Sequence, residues 1–286
     1  MGIEPKVRDE TIVLDGLRLH YRDWGDPAAP PVVLLHAYIQ HARSWDTVAR
    51  GLADRFRVLA LDQRGHGESE HAADYHELRL VGDVAGFVDA LALERFSLVG
   101  FSIGGNASAS YAALYPDRVT RAVLFECFTS GEETGDEPWL QTMRDHLARL
   151  RSLPAAPAGP EEAAAAFRPL APYADEDELR RWMRDGLVEE PDGRWSWRYD
   201  PVFRVPGPPG RLVPPMDVLR RRLVSVTCPT LFLVGEESWM VEPTAKMAAV
   251  TPHARRVTIP RADHWVPLDN PSGFLQAVRG FLTEEA

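Results

Sequence analysis

The chain has 286 residues, 45% hydrophobic and 26% charged, a globular composition that argues against disorder and leaves ample material for a buried core. Its 32 basic and 42 acidic residues give a net charge of −10 with the arginines scattered, which speaks against a nucleic-acid footprint. Two cysteines, Cys127 and Cys228, are too few for a disulfide framework or a Cys-based zinc site, and no apolar run approaches the ~18 residues of a membrane span.

The opening MGIEPKVRDE is polar and lacks the apolar core of a secretory signal. The expectation is a cytoplasmic, reduced protein without metal or cofactor. It would be a monomer or homodimer with a small-molecule partner and no nucleic-acid or membrane partner.

TIVLDGLRLHYRDWG alternates with period two and breaks at Asp15-Gly16, which predicts a hairpin. The continuous apolar runs 31–37, 57–62, 96–101 and 121–126 read as strands buried on both faces. Helical spacing separates them at 44–56, with Ser44 as the expected N-cap, at 78–93 and from Ser102 to Tyr115. Buried strand and helix in alternation imply right-handed crossovers and a parallel sheet. From about 129 to 224 the alternation stops: helices are predicted at 138–152 and 175–187, each followed by a Pro-rich spacer, and no strong strand appears. It resumes with a strand at 229–235, a helix near 243–250, a strand at 255–260 and a closing helix at 272–282. The reading is an α/β core, 1–128 and 225–286, split by a helical cap at 129–224.

Gly100-Phe101-Ser102-Ile103-Gly104 lies between a buried strand and a helix. Small flanking residues permit the sharp turn that exposes a serine hydroxyl at the sheet's C-terminal edge, although Ser102 as a plain helix N-cap is the bland alternative. A serine needs a base. If the order is serine, acid, histidine, His146, His253 and His264 remain of the nine histidines. His146 falls mid-helix in the insertion and His253 precedes the last strand. His264 follows that strand in ADHWVPLDNP and can return over the sheet edge. His36-Ala37-Tyr38 ends strand 31–36, where backbone N–H groups can face a developing oxyanion. His66, in the Gly-rich turn after 57–62, reads as structural.

LLHAYIQHARSWD, LALDQRGHGES, LVGFSIGG, CPTLFLVGEES and DHWVPLDNP, in that order, resemble the α/β-hydrolase superfamily. The resemblance implies a mostly parallel eight-stranded sheet with helices on both faces and an inserted helical cap. It implies Ser102 as nucleophile and His264 as general base, with oxyanion donors at the N–H groups of Ile103 and Tyr38, Ala37 being the alternative to Tyr38. Two departures stand out. The usual His-Gly pair is His36-Ala37, and the usual aspartate after the glycine of strand 229–235 is replaced by Ser238 and Trp239. Glu126, Glu236 and Glu237 are candidate acids. Glu126 is the expected one, because a buried apolar strand should not end in glutamate without a partner. Zearalenone lactonases and some haloalkane dehalogenases resemble that placement. Asp263 adjoins His264, and its side chain should diverge from the ring.

Phe101, Phe128, Trp182, Trp239 and Trp265 are expected to line a pocket for a bulky apolar substrate. The expected activity is hydrolysis of a carboxylic ester or lactone through an acyl-enzyme. The alternatives are C–C hydrolysis or a lyase or cyclase step, and a non-catalytic binding protein.

Overall fold

Asp15 and Gly16 both take positive φ, 50° and 80°, and fold Val7–Leu14 (β1) back on Leu17–Trp24 (β2) with Leu14 opposite Leu17. This is the two-residue turn whose twist suits a hairpin. In the computed structural model, which describes residues 6–127, 138–204 and 212–284, the hairpin forms one edge of an eight-stranded sheet. Pro31–Leu35 (β3), Arg57–Leu61 (β4), Phe96–Phe101 (β5) and Val119–Phe125 (β6) follow it in the chain. Leu187–Glu189 (β7) and Trp195–Trp197 (β8) make a separate two-stranded ribbon, and Thr230–Gly235 (β9) and Ala254–Ile259 (β10) complete the sheet. Its order is β1-β2-β4-β3-β5-β6-β9-β10; β2 runs antiparallel to β1 and β4, and the remaining pairs are parallel.

Period-two alternation divides the core. Val32, Leu34, Val58, Ala60, Val99 and Val123 face one side with Asp46–Leu52 (α1) and Pro271–Thr283 (α10). Val33, Leu35, Leu59, Leu61, Leu98 and Leu124 face the other with Glu77–Ala90 (α2), Ile103–Leu114 (α3) and Val241–Val250 (α8). Burial on both faces is why these strands read as unbroken apolar runs.

The chain between β6 and β9 holds Pro138–Ser152 (α4), Pro160–Phe167 (α5), Glu176–Asp185 (α6), the β7–β8 ribbon and Met216–Leu223 (α7). Leu219 and Leu223 of α7 join the core beside α3, where Arg222 reaches Glu77 at 2.8 Å and Ser110 at 2.8 Å. A short helix, Val266–Asp269 (α9), precedes α10.

Three local expectations are corrected. Ser44 is no N-cap: it lies within a 3-10 turn, Ala42–Trp45, that leads into α1, and Asp62 takes up the Ala42 N–H. The spacer PAAPAGPEEAAAA contains α5, started by Pro160 at the first helical turn with Glu161 and Glu162 beside it. The insertion also holds the β7–β8 ribbon, three residues a side and so too short for a periodic signal.

Candidate active site

Ser102 sits between β5 and α3 with φ 53° and ψ −113°, outside the relaxed regions for an L-residue. Its N–H donates to Phe125 O at 2.9 Å and its carbonyl accepts from Asn106 N at 2.9 Å, so strand and helix both hold the turn. A Cβ on Gly104 would stand 2.4 Å from Leu35 O, so only glycine lets α3 approach β3 this closely. Ile103 is the first residue of α3. Its N–H therefore has no intrahelical acceptor, and the helix N-terminus favours negative charge.

Glu126 follows β6, also at positive φ, 52°, and is fully buried. His264 Nδ1 lies 2.9 Å from Glu126 Oε2. Ser238 donates to the same oxygen at 2.6 Å, and Gly235 N donates to Oε1 at 2.8 Å. Ser238 Oγ itself accepts from Met240 N at 3.0 Å, which aims its own hydrogen at Glu126. Burial pushes the Glu126 carboxyl well above the usual carboxylate range, and the Ser238 and Gly235 donors oppose that rise. With the ring's Nδ1–H they present three donors to two oxygens, the pattern a carboxylate accepts. Burial draws His264 down to about 4, leaving a neutral imidazole whose Nε2 lone pair faces away from Glu126.

The other carboxylates lie elsewhere. Glu236 accepts from Arg261 N at 3.3 Å, and Glu237 accepts from the Tyr173 hydroxyl; both are exposed. Asp263 accepts from the His264 backbone N at 2.7 Å. A Cβ on Gly235 would stand 2.4 Å from Asp263 O, so the end of β9 and the His264 loop touch backbone to backbone.

The loop after β3 carries Ile39 at φ 58°, unusual for a β-branched residue. Ala37 N donates to Gln40 Oε1 at 3.0 Å, and Ala37 O receives His36 Nδ1 at 2.8 Å. His36 Nε2 accepts from Gln63 N at 3.0 Å, which fixes that tautomer. Ala37 is thus committed within its own loop, and Tyr38 is the neighbouring amide. The Tyr38 hydroxyl donates to Phe203 O. Asp62 accepts from Ala42 N at the end of this loop and from Glu68 N at 3.0 Å, which ties the loop to the turn after β4, and it bonds His20 of β2 at 2.6 Å; although burial alone would raise it, its partners hold it down at about 2. His66 is buried against Phe203, ring centroids 4.5 Å apart.

Aromatic rings surround His264. Trp239 stacks on it at 5.4 Å and 15°, Phe101 stands at 5.3 Å, and Trp265 meets it edge-on at 5.7 Å. Trp182 lies further off, on a cavity that Trp265 also borders. Phe128 lies outside the described residues. Two neighbours escaped the sequence reading. In sequence Ser238 reads only as the place of a missing aspartate. His146 of α4, set aside as mid-helix, is buried with its ring edge-on to His264 at 4.9 Å. A pattern of α4 residues facing the core would have pointed to it, but not to that contact.

The model of the family described as alpha/beta hydrolase fold matches residues 30–271. The chain belongs to that family. This α/β hydrolase is 31% identical over 267 residues to an esterase of Mycobacterium tuberculosis, covering 91% of this chain and 84% of that protein. It is 28% identical over 274 residues to the sn-1-specific diacylglycerol lipase ABHD11 of Mus musculus, covering 90% and 82%. The crystal structure of E-2-(acetamidomethylene)succinate hydrolase superposes with a TM-score of 0.84 at 24% identity, over 98% of this chain and all of that one (100%), a likeness of fold. These relatives are named as hydrolases, which supports a hydrolase role for this chain.

Proposed function

We propose that the chain is a serine hydrolase that cleaves a carboxylic ester or lactone of a bulky apolar small molecule through an acyl-enzyme. Ser102 is the nucleophile, His264 the general base and Glu126 the acid. Tyr38 and Ile103 offer the oxyanion donors, and 129–224 is the cap that covers the site. The observation that carries this reading is the buried bond between His264 Nδ1 and Glu126, 2.9 Å, on a ring beside the Ser102 turn. With Nδ1–H given to Glu126, Nε2 is the atom free to take the Ser102 proton. Oxygen then attacks the carbonyl, and the oxyanion forms against the two N–H groups. The imidazolium returns its proton to the leaving alcohol, and water releases the acid by the same steps.

The test is Ser102→Ala, in which a small residue still fits the turn. Labelling by a fluorophosphonate and the burst of nitrophenol from a p-nitrophenyl ester should both vanish, with the circular dichroism spectrum unchanged. Turnover retained in that variant refutes the acyl-enzyme.

A further inference from the structure

His264 stands on a loop, and a base about 1 Å out of place loses on the order of a hundredfold in rate, so something must hold that loop in register. Two carboxylates take its successive amides. Asp269, at the end of α9, accepts from Asp263 N through Oδ2 at 2.9 Å, and Asp263 Oδ1 accepts from His264 N at 2.7 Å. On its other side the loop is held by the end of β9, where Glu237 N donates to Ala262 O at 3.0 Å.

The second oxygen of Asp269 serves the insertion. Oδ1 accepts from Tyr173 N at 3.0 Å, in the turn that precedes α6. The Tyr173 side chain docks on the same neighbourhood: the Arg261 guanidinium lies over its ring, 5.8 Å from the centroid, and its hydroxyl donates to Glu237. Phe167 of α5 adds an edge-on contact with Trp265 at 4.8 Å. The insertion therefore touches the chain on both sides of His264. A buried carboxylate needs partners, and those of Asp269 are backbone amides. Burial pushes it up to about 6 while the amides of Asp263, Tyr173 and Ala174 oppose the rise, so at pH 8 it is charged. A serine or an asparagine could accept from either segment alone; a carboxylate has the two acceptor oxygens needed to accept from both.

We propose that Asp269 is a positioning residue for His264, tying the histidine loop to the insertion so that seating of the insertion sets the ring in register with Ser102 and Glu126. This rests on His264 as the base of the acyl-enzyme above and adds what aligns it.

The test is Asp269→Asn, which keeps the shape but has one acceptor oxygen for amides from two segments. Its kcat on a p-nitrophenyl ester at pH 8 is divided by the sites that a fluorophosphonate titrates, so that unfolded protein does not count. That quotient should fall by about tenfold to a hundredfold with KM within about twofold of the wild type. A second readout is the proton resonance of His264 Nδ1–H, moved downfield by its bond to Glu126 and identified by its loss in His264→Gln. It should shift or broaden in Asp269→Asn. A merely structural role would lower the Tm and leave both readouts alone; kcat per site within about twofold of the wild type, or an unmoved resonance, overturns the proposal. Tyr173→Ala keeps the N–H but strips the ring and hydroxyl from the same dock. It should cost at least about threefold in kcat per site, and it stands in should Asp269→Asn fail to fold. The two changes together should cost less than the product of their separate losses, since both loosen one contact. Losses that multiply, or a silent Tyr173→Ala, overturn the link to the insertion. If the wild type turns over no ester and Ser102 is not labelled, the acyl-enzyme reading fails instead. Asp269 is then judged on the resonance alone, and an unmoved signal overturns its role.

Discussion

Ser238 and Trp239 occupy the place where this fold usually sets its aspartate, and both have been put to other use. Ser238 and His264 reach the same oxygen of Glu126, at 2.6 and 2.9 Å, so a carboxylate built at 238 starts beside the position it must fill. Glu126→Gln should cost turnover by roughly 10⁴-fold, since the imidazolium loses its support, with little change in KM. Glu236→Gln and Glu237→Gln should each cost less than about tenfold in kcat. Adding Ser238→Asp to Glu126→Ala should then recover at least about tenfold over Glu126→Ala alone. Steady-state kinetics on one p-nitrophenyl ester decides all of these, and a severe Glu237→Gln with a mild Glu126→Gln would move the acid to the β9 loop. The places of Ser102 and Glu126 were legible because β5 and β6, which they follow, are buried and declare themselves in sequence, whereas β10, ahead of His264, is largely exposed and was found from the order of elements. Ser238 was not legible, because a serine's meaning lies in which carboxylate it meets.

At the scale of elements the insertion was the harder half to read. Its helices α4 and α6 were visible from their spacing, but α5 was hidden by flanking prolines, although Pro-Glu-Glu followed by alanines is a good helix start. Where α4 would lie had no local signal, and so His146 was missed. How α6 is fastened follows from chemistry on its own turn. Asp175 Oδ1 accepts from Asp177 N at 3.0 Å and Glu178 N at 3.1 Å. Thr47 of α1 donates to Glu178 at 3.1 Å, and Arg181 reaches Thr47 at 3.1 Å. Asp175→Ala should therefore destabilise the protein by about 1 kcal/mol, seen as a lower urea midpoint at unchanged m-value. No measurable shift would mean that α6 is not part of the cooperative unit. The return of the insertion is stitched by backbone as well: Gly67 N donates to Arg198 O at 2.6 Å and Asp200 N to Gly65 O at 2.7 Å.

The whole molecule buries an unusual set of neutral imidazoles. Burial draws His36 down to about 3, His41, His66 and His264 to about 4, and His146 to about 2. Below pH 6.5 the unfolded chain binds a proton at each of them while the folded chain does not, until the folded value is reached. Stability is therefore full above about pH 6.5 and falls as the pH drops from there toward 4, by up to about 1.4 kcal/mol per histidine per pH unit. His20 has the opposite sign: burial alone would lower it, but Asp62 raises it, so its contribution is present below pH 6.5 and lost as the pH rises through its folded value. Glu126 and Asp269, both raised by burial, act in the same direction as His20 and offset part of the fall, and the five imidazoles carry the net sign between pH 6.5 and 5. Thermal unfolding at pH 7, 6 and 5 should show a steadily falling Tm, and a constant Tm across that range would refute the buried neutral state. Among the described residues no helix is long and apolar enough to cross a membrane.

The stacking of Trp239 on His264, at 5.4 Å and 15°, gives the proton an optical signature. An imidazolium against an indole face quenches its emission, and the ring's quadrupole attracts that charge. Of the eight tryptophans, only the emission lost in Trp239→Phe belongs to this stack. Recorded on the millisecond scale as an ester is mixed in, that difference signal should, under the proposed mechanism, dim when His264 holds the proton and recover when it lets go. A step usually inferred from isotope effects thereby becomes directly visible, without any added dye.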